Sequence, residues 1–309
     1  MKLYKRKEND TAPLGQADPY ILSHGGKYYI YATHEEGVQL YSSENFADWI
    51  FEGFCFAREG EKSYWAPAVM EYKGTFYMYY SSMPKNEEDC HTQRIQVAKA
   101  QTPAGPFQYV CDLLPPFSID AHAVNTPAGL YLFYSVNDYE AQRAGTLIVL
   151  DKLIDPYTVE GNPKVVVRPT IDEEIFMRDR FRCGQHWHTI EGAFYFYKGD
   201  RHYLLYSGSA YTNETYFIGY STAEGTPADL RDLQWSKYPD DDTYCPLIAK
   251  NDCVEGTGHN SLIEIDGKMW IVYHARDMAG GNNPIGEDVR VMRADIMEID
   301  GDRLSVEIL

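Results

Sequence analysis

The sequence predicts an all-β fold made of five copies of one small sheet, and three observations support this prediction. Short runs rich in Tyr, Phe, Ile and Val follow glycine-containing turns, which is typical of strands in hairpins. One such run occurs five times, and its copies end in Thr33, Ser81, Ser135, Ser207 and His274. Amphipathic helical periodicity is almost absent. Repeated sheets of this kind arranged around an axis form a propeller, so we predict a five-bladed β-propeller.

The five repeats place the blades along the chain. They run through nearly all of the 309 residues, which favours a single domain over residues 1–309. The first blade should contain four up-and-down strands, and residues 1–16 should lead into it. The last blade should close with a hairpin over Gly301. The blades are predicted to begin near residues 18, 64, 118, 189 and 257.

The side chains that begin the first strand of each blade should lie at a similar height around one channel. We counted back eleven residues from the first aromatic residue of each run, or twelve in the fourth copy. The positions reached are Asp18, Ala66, Asp120, Glu191 and His259. Each acidic residue taken alone would more often be a turn-capping or solvated group. Four ionisable side chains at five matched positions exceed what the composition gives by chance, so we predict a polar site in the channel.

Three neighbouring features belong to the same hypothesis. Trp65 is either a stacking wall for a sugar ring or a core residue. His122, two residues after Asp120, is expected to share its face of the strand. The polar segment from residue 172 to 188 is predicted to overhang the site as a loop.

Composition and charge exclude several classes of partner. A net charge of −18 argues against binding nucleic acid or an anionic membrane surface. Aromatic residues make up 14% of the chain, which suits a neutral oligosaccharide whose sugar rings stack on flat faces. No apolar leader or membrane-spanning run is visible. The six cysteines lack Cys-x-x-Cys spacing and are interpreted as free thiols, so we predict a cytoplasmic protein.

Carboxyl groups gathered around one pocket indicate the chemistry of glycosidic bond cleavage. One carboxylic acid protonates the leaving oxygen while a second, ionised group activates the attacking water. Crowding of like charges raises at least one pKa, which keeps an acid protonated near neutral pH. The sequence has no Gly-x-Ser-x-Gly, P-loop, Gly-x-Gly-x-x-Gly or His-Glu-x-x-His motif. Serine nucleophile chemistry and nucleotide binding are therefore unsupported.

The sequence resembles the family 43 glycoside hydrolases, which are five-bladed β-propellers, over residues 17–301. The resemblance is carried by the ordered motifs Ala17-Asp-Pro, Trp65-Ala-Pro67, Ser118-Ile-Asp120, Ile190-Glu-Gly192, Gly256-Thr-Gly-His-Asn260 and Tyr273-His274. It implies an inverting mechanism that requires no cofactor, with Asp18 as general base and Glu191 as general acid. Asp120 would tune the pKa of the acid and orient it. The acid and base carboxyls should then lie ~6.5–9.5 Å apart, which leaves room for a water.

The same resemblance implies further roles for His259 and Arg290. His259 matches a channel histidine that often lies near a central calcium, which makes it a candidate metal ligand. Arg290 resembles an arginine that contacts sugar hydroxyls in exo-acting members, and Trp65 is a candidate substrate-binding residue. The residues after Asp120 and Glu191-Gly192 depart from the family pattern, which leaves neighbouring sugar contacts open. No C-terminal β-sandwich is expected, which favours an α-L-arabinofuranosidase over a β-xylosidase.

Three alternatives remain open from the sequence. A phosphorylase on a similar propeller would need a cationic pocket, for which Arg178, Arg180 and Arg182 are the available cluster. A fructosidase-like enzyme would use a related scaffold. A carbohydrate-binding propeller without catalysis would have no use for a matched acid and base. The released sugar, the linkage, exo or endo action and the oligomeric state are not fixed by the sequence.

Overall fold

The computed structural model describes residues 1–7, 9–278 and 289–308. Regular structure in these ranges is β except for three short 3₁₀ turns at Cys90–Thr92, Asp172–Glu174 and Leu230–Asp232. No helix in these ranges has the length and apolar character needed to span a membrane. The prediction of an all-β fold is confirmed.

Five blades of antiparallel strands follow one another along the chain, and within each the strands pair largely in chain order. A short parallel pairing of residues 145–146 with residues 188–189 joins the third and fourth blades into one sheet. The first blade contains β1 (Ala17–His24), β2 (Lys27–Thr33), β3 (Val38–Ser43) and β4 (Ile50–Phe56). The second contains β5 (Glu61–Tyr72), β6 (Thr75–Pro84), β7 (Arg94–Ala100) and β8 (Gln108–Asp112). The third contains β9 (Ile119–Thr126), β10 (Gly129–Asp138), β11 (Gly145–Asp155), β12 (Thr158–Val159) and β13 (Lys164–Val167). The fourth contains β14 (Ile175–Met177), β15 (Trp187–Lys198), β16 (Arg201–Gly208), β17 (Phe217–Glu224) and β18 (Ser236–Lys237). The fifth contains β19 (Val254–Ile265), β20 (Lys268–Asp277), β21 (Val291–Asp300) and β22 (Arg303–Val306).

The sheets close into a ring around their innermost strands. Strand β1 contacts β5, β5 contacts β9, β9 contacts β15, β15 contacts β19, and β19 contacts β1 again. Five hydrophobic clusters fill the spaces between neighbouring sheets, so each sheet shares a core with both neighbours. The molecule is therefore a five-bladed β-propeller, as predicted.

The first residues of the chain do more than lead into the first blade. Lys2 forms an antiparallel bridge with Arg293 of β21, beside the hairpin that closes the fifth blade. Leu3 and Tyr4 are buried in the cluster between the fifth and first blades. These residues join the last blade to the first, where the ring closes.

Every innermost strand carries a β-bulge at the same place. Within the bulge, each innermost strand (β1, β5, β9, β15 and β19) advances by three residues while the paired strand advances by two. One residue in each bulge has a left-handed backbone conformation. These residues are Asp18 (φ 53°), Ala66 (φ 44°), Asp120 (φ 57°), Gly192 (φ 65°) and His259 (φ 47°). Counting between the repeats of the sequence matches Glu191 to this set. The structure places Gly192 there and Glu191 one residue earlier, which explains the count of twelve in the fourth copy.

Side chains at the ends of three repeated runs accept hydrogen bonds from backbone N–H groups in the bulge of the next blade. A bulge removes an N–H group from the ladder, and that group needs another acceptor. Thr33 Oγ1 accepts from Ala66 N at 2.8 Å, Ser207 Oγ accepts from His259 N at 2.7 Å, and His274 Nδ1 accepts from Asp18 N at 3.1 Å. Three of the five run ends therefore form bonds between blades, whereas the buried hydroxyls of Ser81 and Ser135 have no hydrogen-bond partner among the described residues.

Aromatic side chains fill the channel beneath the bulges. His122 and Phe194 are the residues three positions after the start of the bulges in β9 and β15, and their ring centroids lie 4.2 Å apart. Tyr20 of β1 lies 6.0 Å from each ring. The expectation that His122 faces the same way as Asp120 is wrong, because the bulge between them breaks the alternation of side chains. We call these three residues the channel plug.

Candidate active site

The bulges surround one small cavity at the mouth of the channel. Its lining combines three carboxyl groups, a histidine, an arginine and several aromatic rings. The described residues that line it are Asp18, Thr33, Trp65, Ile119, Asp120, Glu191, Tyr211, Tyr216, His259 and Arg290. All six side chains that the sequence analysis proposed as site residues are therefore brought together.

Asp18 sits among donors and positive charge. Its Oδ2 accepts a hydrogen bond from Thr33 Oγ1 at 2.5 Å. Its Oδ1 lies 3.5 Å from Nη1 of Arg290 and 3.5 Å from Nδ1 of His259. Burial alone would raise the pKa of Asp18, but His259 and Arg290 outweigh it and hold that pKa below its ordinary value. Asp18 is therefore an ionised carboxylate across the physiological pH range.

Glu191 has the opposite environment. Burial raises its pKa, the hydrogen bond from Tyr216 lowers it and the charge of Asp18 raises it, with a net pKa of about 7. The Tyr216 hydroxyl donates to Glu191 Oε1 at 2.7 Å. A carboxyl with this pKa holds its proton on about half of the molecules at pH 7. The two carboxyls on this cavity thus have pKa values shifted in opposite directions, downward for Asp18 and upward for Glu191.

Asp120 connects to Glu191 through the backbone of the bulge. Its Oδ2 accepts from the N–H of Gly192 at 3.1 Å, immediately after Glu191. Burial raises the pKa of Asp120 well above its usual value, and the charges of Glu191 and Asp18 raise it further. Gly192 has a φ of 65°, and a Cβ there would lie 3.2 Å from His259 Nδ1. Both the backbone and the space favour glycine at this position.

Two residues of the cavity that the sequence analysis missed support the charged groups. Tyr211 lies beneath Arg290, whose guanidinium carbon is 4.7 Å from the ring centroid. Tyr216 stacks on His274 at 5.9 Å with an interplanar angle of 10°. The sequence contains one sign of the position of Tyr216. Gly258 lies against its ring, since a Cβ at this glycine would lie 1.9 Å from the tyrosine ring. A glycine just before a bulge marks this close approach, but it does not identify the partner.

The groups around His259 do not match a calcium site made of protein ligands. Calcium takes six to eight oxygen ligands. His259 instead offers a ring nitrogen, which faces Asp18 at 3.5 Å and Asp120 at 4.0 Å. Both carboxylates already accept hydrogen bonds from Thr33 and Gly192.

The arginine cluster proposed for a phosphate pocket lies outside the cavity. Arg178 and Arg182 are exposed, and Arg180 packs over the ring of Trp187 at 4.7 Å. None of the three belongs to the cavity lining given above. The segment that carries them is less irregular than expected, since it includes a 3₁₀ turn and strand β14. These positions do not favour a phosphorylase.

The fold and the site define a five-bladed β-propeller with a central cavity lined by carboxyl groups. The family model described as glycosyl hydrolases family 43 matches residues 8–302, and the chain belongs to this family. A crystal structure of a thermostable family-43 glycoside hydrolase superposes with a TM-score of 0.80 and 28% identity. That match covers 96% of this chain and 93% of the other. The resemblance found in the sequence is confirmed.

Two curated relatives carry more specific names. An extracellular exo-α-(1→5)-L-arabinofuranosidase of Streptomyces avermitilis is 24% identical over 86% of this chain and 56% of its own length. The extracellular exo-α-(1→5)-L-arabinofuranosidase ArbA of Cellvibrio japonicus is 25% identical over 85% of this chain and 79% of its own length. The chain thus spans little more than half of the first relative.

The names of these relatives correct one prediction. Both are extracellular proteins, so the predicted cytoplasmic location is wrong. That prediction relied on the six cysteines, which are indeed free thiols, four of them exposed. Unpaired cysteines are compatible with either compartment when the core is large enough to be stable without disulfides.

Proposed function

We propose that this chain is an inverting, exo-acting glycoside hydrolase that releases terminal L-arabinofuranose from α-1,5-linked oligosaccharides. The observation that carries the proposal is the opposite setting of two carboxyls on one cavity. Asp18 is held ionised, whereas the pKa of Glu191 is raised to about 7. The names of the two arabinofuranosidase relatives support the choice of sugar, linkage and exo action.

In the proposed reaction, Asp18 accepts a proton from a water that attacks the anomeric carbon. Glu191 donates its proton to the leaving oxygen on the opposite side of the sugar, so the configuration inverts in one displacement. A separation of ~6.5–9.5 Å between the two carboxyls remains a prediction of this mechanism. The resulting hydroxyl group completes the released sugar, and the leaving group departs as an alcohol.

Asp120 acts in this mechanism by holding the acid in place. Its bond to Gly192 N fixes the bulge that carries Glu191, and the family resemblance assigns to Asp120 the tuning of the pKa of the acid. Trp65 and Arg290 supply a stacking face and donors for sugar hydroxyls, and a neutral oligosaccharide is the substrate that this lining suits. The proposed reaction requires no cofactor.

The proposal is tested with 4-nitrophenyl α-L-arabinofuranoside, 4-nitrophenyl β-D-xyloside and α-1,5-arabinobiose in phosphate-free buffer. We expect release of arabinose from the first and third substrates. Proton NMR during the first minutes should show the β-anomer, which then mutarotates. Preferential xylose release would replace the proposed sugar. Initial α-anomer would contradict the single displacement, and dependence on phosphate would restore a phosphorylase.

A further inference from the structure

His274 lies between the proposed base and the proposed acid but is not part of the cavity lining. Its side chain is fully buried on β20. Its Nδ1 accepts from the N–H of Asp18 at 3.1 Å, and its ring stacks on Tyr216 at 5.9 Å with an interplanar angle of 10°. The Tyr216 hydroxyl in turn donates to Glu191 at 2.7 Å. One imidazole ring thus contacts the base and the residue that supports the acid.

The Nδ1 atom of His274 faces two groups of Asp18 and can serve only one of them. It lies 3.1 Å from the backbone nitrogen and 3.2 Å from Oδ1. The carboxylate already has Thr33 and Arg290 as partners, whereas the N–H lies in the bulge and needs an acceptor outside the ladder. Burial lowers the pKa of His274 to about 4, so the ring is neutral near pH 7 and can accept at Nδ1 with its proton on Nε2. The ring therefore holds the backbone of Asp18.

The face of the His274 ring packs on Tyr216, and the neighbouring strand leaves room for the tyrosine. Gly258 of β19 is the cross-strand partner of His274. A Cβ at Gly258 would lie 1.9 Å from the Tyr216 ring, so the tyrosine occupies the space that this glycine leaves. Nε2 of His274 has no hydrogen-bond partner among the described residues. Within that part of the chain, the ring acts through Nδ1 and through its face.

We propose that His274 is a positioning residue for both the base and the acid. Through Nδ1 it fixes the bulge that presents Asp18 to the attacking water. Through its face it fixes the Tyr216 hydroxyl on Glu191. The inference rests on the function proposed above. A side chain outside the cavity thereby sets the position of the base and the proton affinity of the acid.

Two substitutions separate the two contacts of His274. His274→Asn keeps an acceptor, because the amide oxygen can take the place of Nδ1, but it has no ring to stack on Tyr216. His274→Phe keeps a ring but has no acceptor, so the buried N–H of Asp18 loses its partner.

The matched control is His202, a second buried histidine that stacks on a tyrosine. Its ring lies 5.9 Å from that of Tyr195 at an interplanar angle of 24°, and it does not line the cavity. His202→Asn and His202→Phe measure the effect of lost packing alone. We expect both to leave the pH–kcat profile and the ratio of activities on the two substrates unchanged.

The two variants of His274 should differ in kind. His274→Phe should lower kcat about 100-fold on both 4-nitrophenyl α-L-arabinofuranoside and α-1,5-arabinobiose, because a displaced base slows every attack by water. The basic limb of its pH–kcat profile should stay in place. His274→Asn should keep the maximal kcat within about threefold and move the basic limb to higher pH, since a displaced Tyr216 hydroxyl lowers the pKa of Glu191 less. Neither variant replaces the other charged groups that face Glu191, which are Asp18, Asp120 and Arg290.

Three outcomes would overturn the inference while hydrolysis stands. They are equal losses of kcat in both His274 variants, an unchanged basic limb in His274→Asn, and the same changes in the His202 variants. Each would show that His274 supports only the fold.

A measurement without turnover separates the inference from the proposed function. If the wild type releases arabinose from neither substrate, the proposed function fails, and unfolding in denaturant at pH 8 tests the contact by itself. Tyr216→Phe should lower the midpoint about half as much in the His274→Asn background as in the wild type. It should lower the midpoint equally in the His274→Phe background and the wild type. Equal lowering in all three backgrounds would refute the positioning of Tyr216 by His274.

Discussion

The first and fourth blades present the same strand geometry to the cavity but give their carboxyls opposite character. Asp18 lies in the left-handed residue of its bulge, next to Arg290, His259 and the Thr33 hydroxyl. Glu191 lies one residue before its bulge and accepts a hydrogen bond from Tyr216. One blade stabilises a negative charge, whereas the other makes a negative charge costly. Asp120 occupies the same left-handed position as Asp18, yet its pKa is raised well above its usual value by burial and by the charges of Glu191 and Asp18. The neighbours of each carboxyl, rather than its place in the bulge, therefore decide the direction in which its pKa moves.

The largest expected effects are losses of kcat when the proposed base or the proposed acid is removed, and the two losses should depend differently on the substrate. Asp18→Ala should lower kcat by about 10⁴-fold on both the aryl arabinofuranoside and arabinobiose, because every reaction needs the attacking water. Glu191→Ala should cost as much on arabinobiose but less than about 100-fold on the aryl substrate, whose phenolate leaves without a proton. Steady-state kinetics on the four combinations measure this. Equal losses for Glu191→Ala on both substrates would contradict its role as acid.

The raised pKa of Glu191 should also appear in stability. Its folded pKa of about 7 lies above the ordinary 4.5, so the group contributes stability below pH 4.5 that is lost as the pH rises through 7. Removing the charge with Glu191→Gln should therefore stabilise the protein at pH 8, by about 3 kcal/mol at most, and have little effect at pH 4.5. Denaturant unfolding at the two pH values measures this difference. A variant equally stable to wild type at pH 8 would show that the carboxylate is solvated.

A pair of glycines tests whether the offset in the fourth blade matters. Gly192→Ala should cost about 1–2 kcal/mol, because Ala is strained at its φ of 65° and its Cβ meets His259 at 3.2 Å. It should also reduce activity by displacing Glu191. Gly267→Ala is the matched control, since its φ is 73° but no atom lies within 4 Å of the added Cβ. We expect a similar backbone cost there and unchanged activity. Loss of activity in both variants would mean that strain alone explains the effect.

The smallest expected effects are shifts of the pH–kcat profile when neighbours that lower the pKa of Asp18 or Glu191 are replaced. Tyr216→Phe removes a hydrogen bond that lowers the pKa of Glu191, so the basic limb of the pH–kcat profile should move to higher pH while the acidic limb stays. Arg290→Gln removes a charge that lowers the pKa of both Asp18 and Glu191, so both limbs should move to higher pH. A basic limb unchanged in Tyr216→Phe would show that another group sets it.

Repetition in the sequence was sufficient to predict the fold and to bring four ionisable side chains to one cavity, whereas Arg290 was named from the family resemblance. Matched positions in repeated blades meet around the axis, so Asp18, Asp120 and His259 could be placed together by counting. Local counting could not supply what depends on bulges and on contacts between separate elements. The bulges shifted Glu191 by one residue and turned His122 away from the site. The loop before β17 brought Tyr216 to Glu191 within the fourth blade. None of these contacts leaves a periodic pattern in the chain.

The channel plug of Tyr20, His122 and Phe194 has a kinetic consequence for the proposed reaction. Burial lowers the pKa of His122 to about 4, so the plug is uncharged across the neutral range. It therefore adds no charge to the field around the three carboxyls, and His122 should contribute no limb to the pH–kcat profile above about pH 5. His122→Asn should leave both limbs of that profile where they are in the wild type.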